Sequence, residues 1–277
     1  MRHVEGTFTG SGGLTLYYQA WRPDSAERAG LAIVHGIGEH SGRYMNVVNH
    51  LVPRGYAVWA YDQRGHGRSG GQRVHVDRWA QYLEDLHTFL GIVRKHEQTL
   101  PLFALGHSMG ALIVLEYLPA HQQGLRGAII SGAPIQPVGV AKPYLVALVK
   151  ILSPVIPRFT IRTKLEVEAL SRTPAVVRAY REDPRVYGIA TVRWGAEALE
   201  AVERVKAGVG EIRVPVLIIH GGADRLNSPE GARLAYEQIA SPDKTLRIYP
   251  DTYHEPHNDL TFEEVVRDVE HWLAQHR

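Results

Sequence analysis

The chain has 277 residues, 44% hydrophobic and 22% charged, with 31 basic against 29 acidic side chains for a formal charge of +2. That length supports one large core or a core with an insertion, and so balanced a charge leaves no electrostatic preference for nucleic acid, so no such partner is expected. The absence of cysteine excludes a disulfide framework, a thiolate metal site and a cysteine nucleophile.

The chain opens with a polar, glycine-rich stretch, Met1 to Gly13, that lacks the apolar core of a secretory signal. A cytoplasmic location is therefore expected. The first buried strand is predicted over Leu31 to Val34, and His35-Gly36-Ile37-Gly38 follows it directly. Such a loop supplies backbone N–H groups to an oxyanion in lipases and esterases, so Ile37 is the first candidate donor. A second short apolar run, Ala57 to Tyr61, precedes a helical pattern over Trp79 to His96.

Leu102 to Leu105 is the next strand, and Gly106-His107-Ser108-Met109-Gly110 joins it to an apolar helix from Gly110 to Leu118. Gly-x-Ser-x-Gly between a strand and a helix is the signature of a nucleophile elbow. The flanking glycines leave room for a strained turn that presents the Ser108 hydroxyl, and Met109 becomes the second backbone donor. Ala128 to Ile130 is a further strand.

The strand-helix rhythm then fails from about Ile135 to Gly210, where apolar helical stretches are interrupted by Pro137, Pro143, Pro154, Pro157, Pro174 and Pro184. An inserted helical cap is expected over residues 135–210, between core segments 1–134 and 211–277. Its stripe of Tyr144, Leu145, Leu148, Ile151, Leu152, Val155 and Ile156 has helical spacing. It reads either as packing against the core or as facing an acyl tunnel or lipid surface. No run in it is long enough to span a bilayer, because Lys150, Ser153 and Pro154 interrupt the best one.

The rhythm resumes with Val216 to Ile219, whose loop delivers Asp224, then a helix over Gly231 to Ile239, the strand Leu246 to Tyr249, the loop carrying His254, and a last helix over Thr261 to Ala274. The whole is an α/β fold with a mostly parallel, doubly wound sheet. The order serine, acid, histidine is that of hydrolases of this architecture. Asp251, in a turn after Pro250, is a rival acid, and His257 a rival base. A zinc reading of His254 and His257 fails on spacing and on Pro256, so no metal is expected.

Three blocks, His35-Gly36-Ile37-Gly38-Glu39-His40-Ser41-Gly42-Arg43-Tyr44, Asp62-Gln63-Arg64-Gly65-His66-Gly67-Arg68-Ser69 and Gly106 to Gly110, closely resemble the monoacylglycerol lipase and lysophospholipase branch of the α/β-hydrolases. The likeness continues at Ala223-Asp224-Arg225, Asp243-Lys244-Thr245-Leu246 and Tyr253-His254, and so spans the chain except the cap. The resemblance implies the α/β-hydrolase fold and a cofactor-free serine ester hydrolase that releases fatty acid and glycerol. Lysophospholipase or general carboxylesterase activity is the alternative, and a non-catalytic binding protein on the same scaffold a remote one.

The resemblance also carries over Ser108, Asp224 and His254 as catalytic residues, Ile37 and Met109 as the oxyanion hole, and Glu39, Arg43 and His107 as holding the glycerol end. Glu39 and Arg43 read equally well as an ion pair that locks their loop. Ala111 stands where a third glycine is usual, and Ile37 is bulkier than the residue common there. The expected partners are a lipid or small ester substrate and, through the cap, transient contact with a membrane surface.

Overall fold

Strands that are apolar on both faces belong inside a parallel sheet covered on both sides; five of the six apolar runs occupy that place, and Leu246 to Tyr249 lies in a half-buried edge strand. In the computed structural model, which describes residues 1–138, 143–163 and 165–277 (the side chains of Pro143 and Leu145 also lie outside the description), one eight-stranded sheet is formed by β1 (Arg2–Thr9), β2 (Thr15–Arg22), β3 (Ala29–Val34), β4 (Tyr56–Tyr61), β5 (Leu102–His107), β6 (Gly127–Ser131), β9 (Val216–Gly221) and β10 (Lys244–Tyr249). Their order is β1-β2-β4-β3-β5-β6-β9-β10. From β4 to β10 every pairing is parallel, and β1 and β2 add an antiparallel edge.

Alternation along each strand feeds two cores. Ala32, Val34 and Ile218 face one side, where α2 (Ala80–His96) and α3 (Met109–His121) pack; Leu31, Ile33, Leu217 and Ile219 face the other, with α1 (Met45–Leu51) and α8 (Phe262–His276). All residues of β3, β4, β5, β6 and β9 are buried. This leaves the loops at the carboxyl ends of the strands as the place for chemistry, the usual location in open α/β sheets.

Between β6 and β9 lie α4 (Pro143–Leu152), β7 (Thr160–Arg162), α5 (Pro174–Glu182), β8 (Ile189–Thr191) and α6 (Val192–Gly208). The sequence pattern suggested helices only, yet β7 and β8 pair antiparallel. Three-residue strands rich in Thr and Ile are too short to show a period of two. Their pairing, across about 30 residues, is a tertiary effect. α6 lies between α3 and α4, and α7 (Pro229–Gln238) covers β9 and β10. The N-terminal strand pair also escaped the sequence reading: β1 is largely exposed and polar, and β2, though mostly buried, mixes Gln19 and Arg22 into its apolar run.

Candidate active site

β5 turns into α3 at Ser108 without an intervening loop, and Ser108 takes φ 51°, ψ −118°, a region that side-chain-bearing residues rarely adopt. The turn is tight enough that a Cβ on Gly106 would meet the Gly110 carbonyl oxygen at 2.5 Å, and one on Gly110 would fall on the Val34 carbonyl oxygen. Both glycines are therefore steric requirements. Ser108 donates its N–H to the Ser131 carbonyl at 2.8 Å, which ties the elbow to β6.

The loop after β10 brings His254 to the serine. Its Nε2 lies 3.0 Å from Ser108 Oγ, and its Nδ1 lies 2.8 Å from Asp224 Oδ2 in the loop after β9. Asp224 Oδ1 accepts from the N–H groups of Leu226 (2.8 Å) and Asn227 (3.0 Å), which fixes the carboxylate plane. Burial acts to raise the Asp224 carboxyl, but His254 and His220 outweigh it and hold it well below the usual carboxylate range. For His254 burial acts to lower the imidazole, and Asp224 reverses this to a net rise. His257 instead stacks on Tyr44 at 4.7 Å, and Asp251 is exposed; neither reaches the serine.

The loop after β3 lies against the elbow: a Cβ on Gly36 would stand 3.3 Å from Ser108 Cβ. Among the described residues the N–H groups of Ile37 and Met109 donate to no protein acceptor. Met109 is the first residue of α3, so its N–H sits at the positive end of the helix. His35 is a structural support, with Nε2 accepting from Gln63 N–H at 2.9 Å and Nδ1 donating to the Gly36 carbonyl at 2.7 Å. Burial lowers its pKa.

Glu39 and Arg43 meet as an ion pair of 2.7 Å, and Arg43 also takes both oxygens of Glu255 at 2.6 and 2.8 Å. Glu39 Oε1 accepts from Gly36 N–H at 2.6 Å and Tyr44 O–H at 2.8 Å. The two side chains are thus paired with each other and tied into the loop after β3. His107 does not join them. The ring is buried, faces Ser131 Oγ at 3.1 Å and lies between His254 and His257, tilted to the first and edge-on to the second, and burial with three neighbouring histidines and Arg43 holds it well below the ordinary imidazole value.

Sequence reasoning missed Glu255 and His220. Glu255 follows His254 directly, in a proline-containing loop that reads as a turn, and only the fold brings it to Arg43. His220 ends an apolar strand, where a histidine carries no signal of its own.

Above the site, Tyr187 N–H donates to the Gly38 carbonyl at 2.8 Å, Glu255 N–H to the Leu170 carbonyl at 2.8 Å, and His40 meets Asp183 at 2.8 Å. Arg43 stacks on Tyr180 of α5 at 4.6 Å. The segment between β6 and β9 thus closes over the triad, and Ser108 keeps only 9% of its surface exposed.

A serine on a strained elbow, hydrogen-bonded to an imidazole that a buried carboxylate orients, is the arrangement of nucleophilic acyl transfer. The sequence profile of the family described as serine aminopeptidase, S33 matches residues 25–261. The chain is similar to the monoacylglycerol lipase of Mycolicibacterium smegmatis, 36% identical over 98% of this chain and 97% of that protein, and to the monoglyceride lipase of Homo sapiens, 33% identical over 95% and 88%. Among solved structures it is similar to the Paleococcus ferrophilus monoacylglycerol lipase, with a TM-score of 0.85 and 32% identity over 95% of this chain and 99% of that one.

Proposed function

The chain belongs to the serine aminopeptidase S33 family, and on that premise we propose that it is a monoacylglycerol lipase working through an acyl-enzyme on Ser108. The observation that carries the mechanism is the unbroken relay from Ser108 Oγ through His254 to Asp224, at 3.0 and 2.8 Å. Ser108 Oγ attacks the ester carbonyl as His254 Nε2 takes its proton. The oxyanion forms opposite Ser108 and is met by the N–H groups of Ile37 and Met109. His254 returns the proton to the departing glycerol, and water repeats the sequence to release the fatty acid.

The family description names peptidases, but the site argues for a neutral alcohol end. Glu39 and Glu255 both pair with Arg43, so neither stands unpartnered as the carboxylate that would hold a substrate ammonium. The identity to lipases over nearly the whole chain points the same way.

Residues 135–210 act as a cap that touches lipid transiently. Support comes from the apolar side chains it leaves in solvent, Tyr144, Leu148, Ile151, Val155, Ile156, Phe159 and Ile161, of which Val155 is 74% exposed. Leu145, expected in the same stripe, lies outside the described side chains. Among the described residues no helix is long and apolar enough to cross a membrane, so this contact is peripheral.

The test is hydrolysis of a 1-monoacylglycerol series of increasing chain length beside triacylglycerol and lysophosphatidylcholine, by the native protein and Ser108→Ala. Monoacylglycerol preference that vanishes in the variant is expected. Activity surviving in Ser108→Ala overturns the mechanism, and cleavage of short simple esters alone overturns the substrate.

A further inference from the structure

Along β9, Val216 and Ile218 point into one core, and the same alternation puts residue 220 on that face. An apolar side chain is what the pattern calls for, yet the chain places His220 there, fully buried. Its Nε2 is 3.2 Å from Asp224 Oδ2 and 3.1 Å from the Asn227 carbonyl oxygen. Both are acceptors, so Nε2 carries the hydrogen. Nδ1 has no partner among the described residues. A histidine kept for packing alone has no reason to stand with one nitrogen on the triad carboxylate and the other unsatisfied.

Asp224 Oδ2 thus faces two imidazoles: His254 at 2.8 Å, in hydrogen-bond contact, and His220, whose Nε2 stands 3.2 Å away with its hydrogen bond made to the Asn227 carbonyl, while Oδ1 takes two backbone N–H groups. Asn227 closes the ring of contacts: its N–H holds Oδ1, its carbonyl anchors His220, and its side chain donates to the Gly132 carbonyl at 2.8 Å.

We propose that His220 is a positioning residue for the acyl-transfer reaction: anchored on the Asn227 carbonyl, it sets the positive end of its Nε2–H dipole 3.2 Å from Asp224 Oδ2 and so holds the carboxylate where it meets His254. This rests on the serine-hydrolase reading given above. The contact has two effects. It restrains the carboxylate in the plane that His254 requires, and it shares the negative charge, which limits how strongly Asp224 holds a proton on His254.

Charged and titratable groups around the pair come from every neighbouring element: His107 from β5, Glu39 and Arg43 from the loop after β3, Arg225 beside Asp224, and Glu255 and His257 from the loop after β10. Among the described residues, His220 is the sole side chain besides His254 that touches the Asp224 carboxylate.

The experiment compares His220→Leu, which fills the space, with His220→Gln, whose amide nitrogen reaches where Nε2 stands. The readout is kcat, KM and the pH profile of kcat/KM on p-nitrophenyl butyrate, a substrate that does not depend on the lipid assignment. In His220→Leu we expect kcat to fall by about tenfold, the order of one polar contact to a charged group, with KM unchanged. The acid limb moves to higher pH, because the undivided Asp224 charge then acts on His254. His220→Gln restores both.

An unchanged kcat, an acid limb that stays or moves down, or a glutamine variant that behaves like leucine overturns the proposal. Should His220→Leu fail to fold, long-range 1H–15N spectra of the native protein decide: a His220 proton on Nε2 is expected, and one on Nδ1 overturns the assignment. Ser108→Ala assayed alongside separates the two readings. Activity that survives it sinks the serine mechanism, while the tautomer of His220 is read independently.

Discussion

Arg43 and Glu255, 212 positions apart in the chain, face each other through two hydrogen bonds of 2.6 and 2.8 Å, with 10% and 2% of their side chains exposed. The pair joins the loop after β3 to the residue beside His254, so it sets the spacing between two parts of the candidate site. Neutralising Glu255 weakens two buried charge-assisted hydrogen bonds of Arg43 and leaves Glu39 as its one charged partner. Glu255→Gln is expected to cost about 3 kcal/mol, lowering the melting temperature by roughly 10 °C in a thermal scan. A melt within a degree or two of the native protein would show that Glu39 alone satisfies Arg43.

The same contact gives stability a defined acid dependence. Burial acts to raise the Glu255 carboxyl, but the Arg43 guanidinium outweighs it and holds the group down at about 2, against an ordinary 4.5. A folded-state pKa below the unfolded one means that the stabilisation is fully present above pH 4.5 and is lost as pH falls from there toward 2. Urea melts from pH 6 to pH 3 are expected to show a steeper loss for the native protein than for Glu255→Gln. Parallel curves would remove Glu255 from the account.

Catalysis has its own acid limit. In the proposed mechanism His254 must be unprotonated to accept the serine proton, and Asp224 raises its pKa above the ordinary imidazole value. The acid limb of kcat/KM is therefore expected above about pH 6.5. Asp224→Asn removes the charge and, with its oxygen kept by the Leu226 and Asn227 N–H groups, turns a donor instead of an acceptor toward His254, so kcat falls by about four orders of magnitude and the residual activity has its limb at lower pH. Retention of even a tenth of native kcat would assign the orienting role to another carboxylate.

The elbow glycines make a steric prediction. A methyl at 110 falls on the backbone carbonyl of Val34, which the sheet holds in place. Gly110→Ala must push α3 off β3, a cost of about 1–3 kcal/mol or more, together with displacement of the Met109 N–H and loss of activity. A variant with native activity and an unchanged melt would mean that the contact relaxes freely.

This elbow also shows which parts of the molecule sequence alone can convey. Gly106 to Gly110, the apolar runs and the order of Ser108, Asp224 and His254 were readable because each is local: a turn that demands glycine, a strand that demands burial, a loop that must follow its strand. Glu255 on Arg43 and His220 on Asp224 were not, since neither residue type nor spacing marks a contact made across the fold. The β7–β8 pair and the exposed β1 escaped for a related reason: partners elsewhere in the chain define them as strands.

The cap supplies the last test. Ile151 and Val155 are 67% and 74% exposed, and each, if it enters a bilayer interface, contributes about 1.5–3 kcal/mol. A double variant, Ile151→Asp with Val155→Asp, removes that contribution and places two charges where the lipid would be. Binding to phosphatidylcholine vesicles is expected to weaken by about a hundredfold or more, since each 1.4 kcal/mol is a factor of ten. Hydrolysis of long-chain monoacylglycerol presented in those vesicles falls with it, while turnover of a short, water-soluble ester stays native, because neither residue touches the triad. If both substrates lose activity equally, the stripe serves the packing of the cap; if vesicle binding is unchanged, lipid contact is made elsewhere.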